Sequence, residues 1–201
     1  MRKFLFIVTL LLLLVTLVQL WMTQEHTEQK KAVEAAETAA SSTIGGSFAL
    51  TDQTGKILHD TDFRGRVMLV FFGFTNCPDI CPVTVATLSK TMELLGDKAN
   101  QVAPIFITVD PGRDTPAALK SYLANFDKRM VGLTGTDTEI KQVADAYKAY
   151  YAKAEAPGGK DYGVNHSGYI YLMDKTGKFV TPLAYDTTPQ NLATAVKPYL
   201  N

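Results

Sequence analysis

Two apolar runs constrain this chain most. "VMLVFFGF", Val67 to Phe74, and "VAPIFITVD", Val102 to Asp110, are dense in β-branched and aromatic residues and show no regular polar alternation. Such runs read as strands buried on both faces, which requires helices on each side of the sheet. Between them Val85, Leu88, Met92 and Leu95 recur at helical spacing, and Gly96 supplies a stop. Two buried strands joined by a helix run parallel in one sheet. Thr115 and Pro116 open a further helix that is expected to reach about Asn125, and "MVGL" follows as a short strand. Thr136 and Glu139 form a capping-box pattern ahead of an apolar stripe of Ile140, Val143, Ala144 and Tyr147. The tyrosines at 147, 150 and 151 are expected on the inner and boundary faces of that helix. "AKAEAPGGKDYGVNHSG" reads as a polar, glycine-rich loop. "YIYLMD" and "KFVTPLAY" flank Lys175-Thr176-Gly177 as a hairpin, and Thr188-Pro189 opens a last helix.

Parallel strands followed by an antiparallel hairpin and a closing helix predict an α/β fold with a mixed central sheet flanked by helices. The element order matches a thioredoxin-like fold. "FALTDQTGKILHDTDFRG", ahead of the first core strand, becomes an added N-terminal β-hairpin.

Arg2 and Lys3 precede an uncharged apolar run from Phe4 to Met22. As a helix it is long enough to cross a bilayer core of roughly 30 Å. Thr23, Gln24, Glu25 and His26 are poor cleavage-site residues, and Trp21 suits a membrane interface. Residues 1–23 therefore read as an uncleaved membrane anchor, a transmembrane helix, with a cleaved signal as the alternative. Basic residues ahead of the span stay cytoplasmic, which puts the remainder outside the cytoplasmic membrane. Residues 24–46, rich in Ala, Glu, Thr and Ser, read as a tether, and residues 47–201 as one folded head. Twenty basic residues balance 20 acidic ones. A neutral chain lacks the basic surface that nucleic acid demands, so no nucleic-acid partner is expected.

The only two cysteines, Cys77 and Cys81, stand in "FFGFTNCPDICP", directly after the first buried strand. A bridge between them would close a loop too short to constrain the unfolded chain much, which argues against a staple. Pro82 is tolerated mainly in a helix's first turn, so the regular helix is expected to start near it, with Cys77 to Cys81 as a loop feeding its N-terminus. Free N–H groups there favour a thiolate, which serves both disulfide exchange and soft-metal binding. The spacing carries one residue more than the usual C-x-x-C of dithiol oxidoreductases and leans toward metal. Of the three histidines, His26 falls in the tether and His59 on the added hairpin as a surface residue. His166 lies just before a hairpin strand; in a thioredoxin-like sheet the segment entering that strand lies against the cysteine loop. Two thiolates and one imidazole form a soft, copper-competent donor set, whereas structural zinc takes a fourth protein ligand. Asp110, Arg113 and Asp114 are expected to brace a helix start and carry no chemistry. Met68, Met92, Met130 and Met173 read as core packing.

"FGFTNCPDICP", "ITVDPGRDTP" and "DYGVNHSGYIYLMD" resemble, in order and spacing, the three marker segments of the Sco/SenC family, and the resemblance runs from about Ile44 to the C-terminus. It implies a membrane-anchored thioredoxin-like domain on the outer face of a bacterial or mitochondrial inner membrane. For a bacterial chain this means a single-pass protein of the cytoplasmic membrane with its head on the periplasmic side. It also implies Cu(I) or Cu(II) held by Cys77, Cys81 and His166, and a metallochaperone role toward the dinuclear copper centre of cytochrome c oxidase. The implied partners are a copper-accepting oxidase subunit and a copper donor. A thiol–disulfide oxidoreductase that keeps the acceptor's cysteines reduced, using Cys77 and Cys81, is the alternative; a redox or copper sensor is a third. Many relatives carry aspartate just before the ligand histidine, where this chain has Asn165; the neutral amide removes a charge from the surroundings of the imidazole.

Overall fold

The fold is built around a strand that meets no water. In the computed structural model, β3 (Val67–Gly73) is buried at every position, as is its neighbour β4 (Val102–Thr108). The structure describes residues 44–155 and 162–200, together with Gln19, Trp21, Met22 and Gln24. The chain divides into two units at Ser41/Ser42, and the second carries the fold described here. Most of the expected anchor and most of the expected tether lie outside the described residues. Among those described, no helix is long and apolar enough to cross a membrane.

Around β3 and β4 the described strands form a seven-stranded mixed sheet of order β2-β1-β5-β4-β3-β8-β9. Here β1 is Ala49–Asp52, β2 Ile57–His59, β5 Val131–Thr134, β8 Tyr169–Met173 and β9 Phe179–Ala184. β3 pairs in parallel with β4 (Phe71 opposite Phe106) and β4 with β5, while β8 runs antiparallel to β3 (Phe71 opposite Ile170). The expected N-terminal hairpin is present, and it extends the sheet by pairing antiparallel to β5.

The helices are α1 (Ile80–Leu95), α2 (Pro116–Leu123), α3 (Asp137–Tyr147) and α4 (Pro189–Val196). Their starts follow the sequence signals. Thr115, Thr136 and Thr188 each accept a backbone N–H three residues on, and Glu139 completes the capping box on Thr136. Gly96 ends α1 with a φ of +55°. The methionines at 68, 92, 130 and 173 are all buried in the core.

Four local expectations are corrected. The segment read as a polar loop is largely a ribbon, β6 (Tyr151–Glu155) against β7 (Tyr162–His166). Its strand pattern is hidden because alanine, glycine and polar residues leave little apolar alternation, and the pair stands apart from the main sheet. The tyrosines at 147, 150 and 151 do not share a helix. α3 stops at Tyr147, Lys148 turns the chain in the left-handed region (φ +55°), Tyr150 is exposed and Tyr151 begins β6. α1 starts at Ile80 rather than near Pro82, so Cys81 lies inside its first turn. The proline still needs no intrahelical donor there. α2 also ends at Leu123, short of Asn125.

Gly73 closes β3 where the cysteine segment begins. A Cβ there would stand 2.9 Å from Phe106 Cε2 and 3.0 Å from both Cys81 Sγ and Phe71 Cε1. No flexible side-chain tip is available to give way, so Gly73→Ala is expected to destabilise by about 1–3 kcal/mol through overpacking. A lowered denaturant midpoint with unchanged slope is the measurement.

Candidate metal centre

Cys77 follows a turn in which its N–H donates to the Phe74 carbonyl (3.3 Å). Cys81 sits one helical position beyond Ile80 and is fully buried, whereas Cys77 is partly exposed. Neither is in a disulfide. His166 ends β7 and is brought back over the pair, with Nε2 3.3 Å from Cys81 Sγ. The two sulfurs and one ring nitrogen all lie within 4.8 Å of one another. Among the described residues this is the one such group of three histidine, cysteine or acidic donors. His59, by contrast, is exposed on β2, and His26 lies outside the described residues.

The imidazole is fixed on several sides. Nδ1 lies 3.1 Å from the Ser167 carbonyl. A carbonyl only accepts, so Nδ1 carries the proton and Nε2 presents its lone pair toward the sulfurs. Phe71 and Phe74 meet the ring edge-on, each with a centroid 5.9 Å away. Ser167 ties the turn after β7 to the start of β6. Its N–H donates to the Tyr150 carbonyl (2.8 Å), and its hydroxyl accepts from Tyr150 N–H (2.9 Å).

The second marker segment, after β4, braces both halves of this arrangement. Asp114 is fully buried and accepts from Thr75 N–H (2.9 Å), Thr75 hydroxyl (2.5 Å) and Thr108 hydroxyl (2.6 Å). It thereby holds the strand-to-cysteine turn against the end of β4. Asp110, also fully buried, pairs with Arg113 Nε and accepts from the Tyr162 hydroxyl (2.6 Å). Arg113 Nη1 donates to the Tyr162 carbonyl (3.0 Å). The expected structural role of Asp110, Arg113 and Asp114 holds. Thr75 and Tyr162 were invisible as their partners, because nothing in sequence spacing relates Thr75 to Asp114 or Tyr162 to Asp110. Asn165 is exposed on the opposite face of the ribbon from His166.

Electrostatics correct one expectation. Burial pushes the Cys81 thiol well above the ordinary thiol range, and the Phe74 backbone hydrogen bond only partly opposes it. Desolvation thus works against the thiolate that a helix terminus favours, and burial disfavours ionisation of Cys81 in the metal-free protein. Burial also lowers the His166 pKa below 6.5, the Ser167 carbonyl acting weakly the other way. A soft cation bound by Cys81 would take the place of its thiol proton. Bonds of about 2.0–2.3 Å to sulfur and nitrogen put two donors on one ion at most about 4.6 Å apart. Three donors spread evenly around one ion lie about 4 Å apart or less, so the spread of up to 4.8 Å would contract on binding.

A thioredoxin-like domain with a Cys–Cys–His donor set over its first helix is the class these observations define. The sequence profile described as SCO1/SenC matches residues 36–201. The chain belongs to the SCO1/SenC family. A SCO2-like protein of Rickettsia conorii is 40% identical over 150 residues, covering 74% of this chain and 73% of the relative. The structure of Bradyrhizobium japonicum ScoI with copper bound superposes with a TM-score of 0.73 at 44% identity, covering 78% of this chain and 99% of that one. BsSco is described as having a disulfide switch and as a member of the Sco family of cytochrome c oxidase assembly proteins. It superposes with a TM-score of 0.63 at 29% identity, covering 79% and 94% of the two chains.

Two outcomes follow for the metal-free protein. Alkylation under native conditions should label Cys77 first, with Cys81 labelled at a comparable rate only after unfolding; peptide mass spectrometry reads the order. For His166, the folded pKa is lowered, so the unfolded chain binds more protons as pH falls below 6.5. Stability should therefore drop on acidification from that point, and His166→Gln should flatten this part of the pH profile of thermal unfolding.

Proposed function

We propose that Cys77, Cys81 and His166 hold copper, and that the chain is a metallochaperone that delivers it to the dinuclear centre of a respiratory cytochrome c oxidase. The observation that carries this is the convergence of two sulfurs and one imidazole nitrogen within 4.8 Å at the mouth of α1, from segments that are 85 or more positions apart. Thiolates suit Cu(I), and the added imidazole suits Cu(II), so the set accommodates cargo in either state. Copper-bound ScoI supports the cargo, and the family's place among oxidase assembly proteins supports the acceptor. Three protein donors leave room for an incoming cysteine, so release can proceed by stepwise ligand exchange rather than by bare dissociation. Anchoring through residues 1–23, with 24–46 as tether, would hold the head near a membrane-bound acceptor and raise its effective concentration. The head would then face the periplasm or its equivalent.

A second reading has its own support. Cys77 and Cys81 are free, neighbouring thiols, and BsSco is described with a disulfide switch. As a reductase, the pair would form a disulfide and pass two electrons and two protons to an acceptor's disulfide. That chemistry needs the cysteines but not His166.

His166→Ala separates the two. Changes beyond the first ligand sphere cost ~10–100-fold in metal affinity, so loss of a ligand should weaken Cu(II) binding by at least about 100-fold. Cu(I) affinity should fall far less. Competition titration of each ion against a chelator checks this. Unchanged Cu(II) affinity would remove His166 from the site. Full activity of the variant on a copper-free disulfide substrate, with no copper retained by the wild type, would favour the reductase.

A further inference from the structure

The β6–β7 ribbon is not hydrogen-bonded into the seven-stranded sheet. The chain enters it after the left-handed Lys148 and leaves it through Ser167-Gly168. The only donor-bearing histidine of the site rides on this separate element. Something other than sheet pairing must therefore fix its place.

The alternation of β7 shows what does. Tyr162, Val164 and His166 share one face of the strand. Val164, between the other two, is buried at 7% exposure, so this is the face turned to the body of the domain. His166 occupies one end over the sulfurs. Tyr162 occupies the other, where its hydroxyl donates to Asp110 and its carbonyl accepts from Arg113. The Arg113 guanidinium also lies over the Tyr162 ring, 3.9 Å from its centroid. Arg113 and Asp110 pair with each other, so the ribbon closes an already matched charge pair at the end of β4. The same guanidinium stands 5.9 Å from the Phe74 ring, whose edge contact helps seat the imidazole.

We propose that Arg113, Asp110 and Tyr162 form a latch that seats the β6–β7 ribbon and so sets the preference of the site for Cu(II) over Cu(I). This rests on the copper reading given above. None of the three offers a ligand to the metal position; they are positioning residues, acting through His166. The logic is differential. The two cysteines come from the α1 side and are held by Asp114, Gly73 and the helix, whatever the ribbon does. The imidazole depends on the ribbon. Loosening the latch removes the nitrogen donor, which Cu(II) uses more than Cu(I) does, and leaves the sulfurs in place.

The test uses the purified full chain and the variants Tyr162→Phe, Arg113→Lys and Arg113→Ala. Tyr162→Phe keeps the ring and loses one hydrogen bond, so it retains the fold even where Arg113→Ala does not. Amide hydrogen exchange in the metal-free protein should rise in residues 162–166 relative to β3 and β4. Titration with Cu(II) should show affinity lowered about tenfold or more in Arg113→Ala, less in the two milder variants, with Cu(I) affinity within about twofold of wild type. In a His166→Ala background the latch substitutions should have no further effect on Cu(II), because their route to the metal is gone. Equal losses for both ions, additive losses in the His166→Ala background, or wild-type ribbon exchange would overturn the latch. A wild-type chain that retains neither ion sinks the copper reading and the preference built on it, while the ribbon-exchange result still reports separately on the latch.

Discussion

The sulfur of Cys81 is wedged between the end of β3 and the imidazole of His166, and much of the head is arranged around that contact. Gly73 leaves only enough room for the sulfur, and the Phe106 and Phe71 rings close the remaining space. The price is a thiol that resists ionisation, because its surroundings solvate charge poorly. A cation that replaces the proton reverses this balance, since positive metal and negative sulfur neutralise each other in the same low-dielectric pocket. Burial thus favours the occupied site over a bare thiolate.

Two bracing systems hold the donors, and they differ in kind. The cysteine side is built into the core, where β3 passes into α1 and Asp114 receives three hydrogen bonds from Thr75 and Thr108. The histidine side belongs to a separate ribbon attached through polar contacts, a serine turn, buried Val164 and the partly buried Tyr151 and Tyr162. Segments with few buried apolar contacts open at lower free energy than core strands. The Cys–Cys–His group thus has one wall built into the core and one carried on a separate ribbon.

Much of the fold was legible in the sequence because its signals are local. Continuous apolar runs marked β3 and β4, and threonine caps marked three helix starts. The convergence of Cys77, Cys81 and His166 was legible too, since the cysteines are the only two in the chain and His166 precedes a readable strand. What escaped was non-local or half-solvated. The ribbon carries glycine and polar residues, so no strand pattern announced it. Tyr162–Asp110 and Thr75–Asp114 join positions 52 and 39 residues apart, and only tertiary structure brings them together. The burial that disfavours a Cys81 thiolate is not legible either, because helix position can be read from sequence, whereas desolvation depends on everything packed around the sulfur.

The added N-terminal hairpin has an effect far from the metal position. By covering β5 it moves one rim of the sheet outward to β2, a strand of only three residues. The opposite rim, β9, carries Pro182, which lacks a donor, and pairs with β8 through a register shift. Neither rim offers the long, flat row of free amides on which a second copy could add its own strand. Crowded side by side, such molecules would resist sticking to one another along the rims of the main sheet.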